Sequence, residues 1–250
     1  MNPYWLEEEA PLRRQVQHTG RVDVAIVGAG ITGCSAALRL AEAGLRVRVH
    51  DQRGVAEGAS GRNGGFALRG GATAYDVARE TYGVEPARDL WRWTERALDR
   101  MEGLAGDALR RPGSFRLAAD EEERGQIQSE YEALRADGIE AEWVDDLPGH
   151  LGGRFQGGIL HAGDGTLQPA RFVWRLAARA ADAGAEIREH DRVDDVNTLD
   201  ADNVVVATDG YGHGLVPELA DAIWPTRGQV IVSEPIDRVL YDRPHYARHG

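Results

Sequence analysis

An apolar run rich in β-branched residues, Val22 to Val27, passes without a break into Gly28-Ala29-Gly30-Ile31-Thr32-Gly33, and no other feature limits the fold of this chain so strongly. A run of that length and type predicts a parallel strand buried on both faces. Glycines at that spacing after a strand have separate mechanical tasks: Gly28 makes the tight turn, Gly30 lets backbone approach a ligand, and Gly33 lets the following helix lie close to the strand. Leu38, Leu40 and the alanines at 36, 37, 41 and 43 continue as a crossover helix, Gly44 stops it, and Leu45 to Val49 form a second strand. Asp51 closes that strand, about 20 residues beyond the glycines, where a carboxylate meets ribose. The unit is a βαβ half-site for an adenine dinucleotide. Its helix N-terminus offers unpaired N–H groups and a positive dipole end to a diphosphate, and its terminal carboxylate accepts hydrogen bonds from ribose hydroxyls and repels a 2′-phosphate. Ala29, Ile31, Thr32 and Gln52 flank these positions and belong to the same expected site.

Composition narrows the function classes. A chain of 250 residues can hold one large or two small domains with a sizeable core. Its longest apolar runs are strand-sized, far below the ~20 residues that cross a bilayer. Glu7, Glu8 and Glu9 stand where an export signal would be positive and then apolar, so a cytoplasmic protein is expected. A net charge of −12 argues against nucleic acid or an anionic membrane as a partner. The single cysteine, Cys34, has no disulfide partner and no ligand-spaced neighbours; it reads as a small buried thiol in the first turn of the crossover helix, and no metal site is expected. All 29 basic residues are arginine, so these residues supply no Schiff base and no lysine acid or base.

After the first unit, the stretch from Gly54 to Gly71 holds seven glycines and the cluster Ser60-Gly61-Arg62-Asn63-Gly64-Gly65. It predicts a long functional loop whose glycines suit close approach to a flat ligand, with no packed element. Tyr75 to Leu109 reads as helical, with Leu90, Trp91, Leu98, Met101 and Leu104 as core. Ser114 to Ala118 predicts a strand. Asp120 to Ala136 predicts a helix whose Glu121-Glu122-Glu123 complements the dipole and whose charges form a solvated face. Strands are expected at 140–144 and 158–161, and a turn at Gly163-Asp164-Gly165. A helix is expected from Pro169 to Ala183, stopped by Gly184. Strand character returns at 185–188 and 193–196, and Asn203 to Ala207 reads as a third buried strand. A nicotinamide domain continues with alternating strands and helices directly after the second strand; the interruption here fits FAD better than NAD.

Four segments carry a resemblance: Asp23 to Gly33, Gly58-Ala-Ser-Gly-Arg-Asn-Gly-Gly65, Asp164-Gly-Thr-Leu-Gln-Pro169, and Val205-Val-Ala-Thr-Asp-Gly210 with Pro225-Thr-Arg-Gly-Gln229 after it. In that order they are similar to FAD-dependent oxidoreductases of the D-amino-acid oxidase, glycine oxidase and sarcosine oxidase type, and within them to the γ-glutamylputrescine oxidoreductase-like branch. The resemblance implies an α/β fold. A Rossmann-like FAD-binding domain with a parallel sheet would take residues 1–109 and 168–215, and a second, mainly antiparallel substrate domain, incomplete relative to the family, would take 110–167 and 216–250. It implies non-covalent FAD, with Gly28, Gly30 and Gly33 at the pyrophosphate and Asp51, in place of the more usual glutamate, at the ribose. Ser60, Gly61, Arg62, Asn63, Gly64 and Gly65 would lie along the flavin side, the backbone of Val193 at the adenine, and Ala207 and Thr208 near the diphosphate. Arg227 is the candidate for a substrate carboxylate, because a guanidinium pairs with it through two parallel hydrogen bonds. Family members continue past this length, so a further C-terminal segment or a partner chain is expected to complete the fold.

The implied reaction removes a hydride from the α-carbon of a small amine or amino acid to flavin N5 and leaves an imine. It needs no strong general base, and catalytic residues are left unassigned. Tyr211, His213 and His245 are candidate pocket residues without an assigned role. Two other readings stay open: an NAD-dependent dehydrogenase built on the same first unit, and a non-catalytic flavin-binding subunit of a larger oxidoreductase.

Overall fold

The computed structural model describes residues 3–226, 228–237 and 242–247. In chain order the elements begin with β1 (Val22–Val27), α1 (Ile31–Glu42), β2 (Val47–His50), β3 (Phe66–Ala67), α2 (Tyr75–Tyr82), α3 (Val84–Ala105), β4 (Leu109–Arg110) and β5 (Ser114–Leu117). There follow α4 (Glu121–Ala136), β6 (Glu142–Val144), β7 (Gly158–His161), β8 (Gly165–Leu167), α5 (Pro169–Asp182), β9 (Glu186–Arg188), β10 (Ala201–Val206) and β11 (His245–Tyr246). Contacts group them into two units, one drawn from 1–64 and 168–234, the other from 65–167 and 235–250. These boundaries differ from the expected division in two places. Helices α2 and α3 go with the second unit, where Tyr75, Ala78, Ala87 and Trp91 share a core with Ile127, Leu134 and Ile159. Residues 216–234 go with the first.

The first unit is a parallel sheet in the order β10-β1-β2-β9. Val24 pairs with Val47 on one side and with Asn203 on the other, so β1 has neighbours on both sides, as its apolar run requires. Helix α1 packs against α5. The buried set of this layer includes Val24, Ile26, Val47 and Val49 from the strands, Ala37, Leu38 and Ala41 from α1, and Val173, Leu176 and Ala177 from α5. Each larger member contributes about 1.5–3 kcal/mol by leaving water. Both helices end in the same way. Gly44 and Gly184 take φ of +86° and +106°, and the residues after them close the turn through Leu45 N to Leu40 O at 3.1 Å and Ala185 N to Ala180 O at 2.8 Å. That left-handed closure explains why glycine stands at each stop.

Three expectations for this unit and its loops are corrected. β10 is not a buried strand: it forms the sheet edge, with Val204 38% exposed, because an apolar run does not distinguish an edge from a centre. No strand forms at 193–196. Asp195 instead caps a short turn, Val196–Thr198, accepting from Asn197 N at 2.9 Å. The glycine-rich stretch does contain packed structure, a turn at Ala59–Gly61 and strand β3, which pairs with β8.

The second unit is mainly antiparallel. One sheet runs β11-β5-β7-β6 and a smaller one β3-β8-β4; within them only β11 and β5 are parallel. The charged face expected of α4 is only partly solvated, since Glu123 and Glu130 are buried. Glu123 N donates to Asp120 Oδ1 and Ala119 N donates to Glu123 Oε2, both at 2.8 Å, so this acid closes the helix start. Glu130 accepts from Tyr75 N at 3.1 Å and pairs with Arg116 at 2.9 Å. Among the described residues, no helix is long and apolar enough to cross a membrane.

Candidate functional site

The chain leaves β1 for β2 on one side, while β10 lies on the other. Strand order therefore reverses between β1 and β10, and a crevice opens at the C-terminal ends of these strands, where open α/β sheets bind ligands. A cavity of about 570 Å³ occupies this place. Among the described residues its lining lies at the ends of the first unit's strands and in the segments that follow them, Gly28 and Gly30 after β1, Asp51 to Arg53 after β2, Asp191 to Asp194 after β9, and Ala207 to Asp209 after β10.

The glycines of the first turn are fixed by collisions. A Cβ on Gly28, whose φ is +109°, would strike Ala207 O, and one on Gly33 would strike Gly28 O. Gly30 is the N-cap of α1 and faces Ser60, whose Oγ accepts from Ile31 N at 3.0 Å. Asp51 is held by two backbone donors: Ala29 N reaches Oδ2 at 2.7 Å and Arg53 N reaches Oδ1 at 2.8 Å. Each carboxylate oxygen keeps a lone pair for another hydroxyl. Thr208 Oγ1 is buried in the wall with no hydrogen-bond partner among the described residues. His50 places Nδ1 3.0 Å from the Asp191 carboxylate; burial lowers its pKa more than Asp191 raises it.

Cys34 lies behind the lining, fully buried, with its thiol donating to Ala29 O at 3.5 Å. Burial, with the Asp51 charge second, pushes its pKa up to about 12. It is a packing group rather than a nucleophile. Among the described residues no cluster of three His, Cys, Asp or Glu side chains could hold a metal.

Of the residues singled out in the sequence, Gly28, Gly30, Ile31, Thr32, Asp51, Gln52, Ser60, Asn63, Val193, Ala207 and Thr208 line the cavity. Ala29 and Gly33 are buried behind it. Gly61 packs on Ala56 and Leu6, and Arg62 Nε donates to Glu57 O at 2.8 Å; neither lines the cavity, nor does Gly64. Gly65 and His245 belong to the second unit. Arg227 lies outside the described residues, as does the His213 side chain. Tyr211 lines the cavity, together with His50, Arg53, Asp191, Arg192, Asp194 and Asp209, to which the sequence reading gave no role. Those at 53, 191, 192, 194 and 209 follow strand ends, and the switch-point rule would have found them once the sheet order was known.

Residues 23–249 match the family model described as FAD dependent oxidoreductase. The chain is 29% identical over 258 residues to the "Probable oxidoreductase OrdL" of Haemophilus influenzae, covering 93% of this chain and 59% of that protein. It is 30% identical over 250 residues to the gamma-glutamylputrescine oxidoreductase of Escherichia coli, covering 87% and 56%. Among solved structures, glycine oxidase from Geobacillus kaustophilus superposes with a TM-score of 0.62 at 24% identity, over 81% of this chain and 59% of that one. The chain thus spans little more than half the length of the relatives it matches.

Proposed function

The chain belongs to the FAD dependent oxidoreductase family, and from that premise we propose that its first unit binds FAD non-covalently for the oxidation of a small amine or amino acid. The observation that carries this reading is the cavity at the switch point. It has a helix start capped by glycine, a carboxylate held by two backbone N–H groups just beyond β2, and a buried threonine hydroxyl left without a partner among the described residues. These features fit a dinucleotide: the α1 N-terminus and Thr208 Oγ1 suit a diphosphate, and Asp51 suits two neighbouring hydroxyls. The names of the relatives support an amine or amino acid as substrate.

The chain's own groups bind and orient. α1 presents backbone N–H groups, and Ser60 draws its loop against Ile31 at the helix start. Asp51 would hold the adenosine hydroxyls, the backbone of Val193 would meet the adenine, and Ala207 and Thr208, after β10, would hold the diphosphate. Ser60 and Asn63, which line the cavity, would lie toward the flavin, and Arg227 would take a substrate carboxylate. When bound, FAD supplies the two-electron acceptor for the hydride leaving the substrate α-carbon, so that the amine becomes an imine.

The visible absorption spectrum of the purified chain, native and after acid precipitation, tests the cofactor. A flavin spectrum that passes into the supernatant is expected. A colourless chain that takes up NAD and not FAD on titration would overturn the reading.

A further inference from the structure

Among the described residues two arginines line the cavity, and they differ in what they meet. Arg192 donates through Nε to Asp194 Oδ1 at 2.6 Å and reaches Gln52 Oε1 at 3.4 Å. Arg53 has no such partner. Among the described residues no carboxylate lies within ion-pair distance of its guanidinium, although Asp51, Asp191, Asp194 and Asp209 line the same cavity. Its Nε is buried without a hydrogen-bond partner. The guanidinium stands instead over the Tyr211 ring, 5.3 Å from the centroid. Its Nη2 lies against Gly58, 3.7 Å from where a Cβ would be, and Gly58 opens the turn that carries Ser60 to the start of α1. The Arg53 main chain is pinned on both sides, with N donating to Asp51 Oδ1 and O accepting from His190 N.

A guanidinium with unused donors in a cavity rich in carboxylates calls for an anionic ligand, since a buried donor left unmet is costly. We propose that Arg53 is the charged partner of the cofactor diphosphate and that Tyr211 holds it in position through the face of its ring. The inference rests on the FAD reading above. A planar fork gives its edge to phosphate oxygens while its face stacks on an aromatic ring, so the two contacts do not compete. The helix dipole supplies only partial charge; Arg53 supplies a full one against Asp191, Asp194 and Asp209, whose charges oppose a diphosphate.

Calorimetric titration of the full chain with ADP and with adenosine tests this, with FAD binding followed by quenching of flavin fluorescence. Arg53→Gln is expected to weaken ADP and FAD by about tenfold or more, leave adenosine unchanged, and lose part of the salt dependence of ADP binding. Arg53→Lys should keep that salt dependence, Tyr211→Phe should keep full affinity, and Tyr211→Leu should weaken ADP. Equal ADP affinity in wild type and Arg53→Gln, or equal losses for ADP and adenosine, would overturn the inference and leave the FAD site standing. A wild-type chain that binds neither FAD nor ADP would overturn the functional reading itself, and the inference with it.

Discussion

Gly33 and Gly44 both serve α1, and replacing each by alanine costs stability for a different reason. At Gly44 nothing lies within 4 Å of an added Cβ, so only the φ of +86° resists. A cost of about 1–2 kcal/mol is expected. At Gly33 the added Cβ would strike Gly28 O, and the nearest side-chain atom beyond it belongs to Ile26 on β1. Helix and strand must then separate, at about 3 kcal/mol or more, the upper end for overpacking. Urea unfolding followed by circular dichroism ranks the two. If Gly33→Ala were as mild as Gly44→Ala, the close approach of α1 to β1 would not be what requires glycine. Both positions were legible in the sequence because their causes are local: a turn, a helix stop, and a glycine three residues after Gly30.

Elements show where local pattern stops being enough. Helix α4 was legible, and so was its dipole chemistry. What the run Glu121-Glu122-Glu123 concealed is that its third member is buried and bonded while its first two face solvent. The spacing Asp120-x-x-Glu123 is itself the capping signal. Asp120→Ala is expected to cost about 1 kcal/mol, Glu123→Ala at least as much, and Glu121→Ala almost nothing; equal effects across the three in urea unfolding would count against the cap. β7 ends on His161, buried with Nδ1 3.2 Å from Arg69 Nη2. Burial first, then the charges of Arg69 and Arg116, push its pKa down to about 3. In the unfolded chain imidazole takes a proton near ~6.5. Between these values the unfolded state binds more protons, so the stability contributed by neutral His161 is complete above that upper value and is lost as pH falls toward the lower one, by at most about 1.4 kcal/mol per pH unit. The urea midpoint should therefore fall with acidity in this window, and His161→Gln should flatten the fall; an unchanged profile in the variant would remove His161 as the cause.

At the scale of the whole molecule, sheet order decides what the sequence could not. The βαβ half-site was readable because its parts are contiguous. Arg53, Asp191 and Asp209 were not, because they meet only when β2, β9 and β10 line up around β1. The edge position of β10 depends on the same ordering. The division into two units carries a further consequence. All described residues lining the cavity belong to the first unit, whereas β11, near the far end of the chain, belongs to the second. There His245 pairs with Phe115, Phe115 N donates to Pro244 O at 2.9 Å, Arg243 stands 5.1 Å from the Phe115 ring, and Ala247 packs on the cluster of Phe115, Leu117, Leu147 and Leu151. Ending the chain at residue 234 strips that cover from β5 and should lower the stability of the second unit by about 2 kcal/mol or more, as loss of core contacts does. The cavity keeps every lining residue, so ADP affinity should stay within about twofold, the range for distant independent sites. Urea unfolding and ADP calorimetry on the shortened chain read the two separately. Loss of ADP binding together with the lowered midpoint would show that the first unit does not hold its cavity without the second.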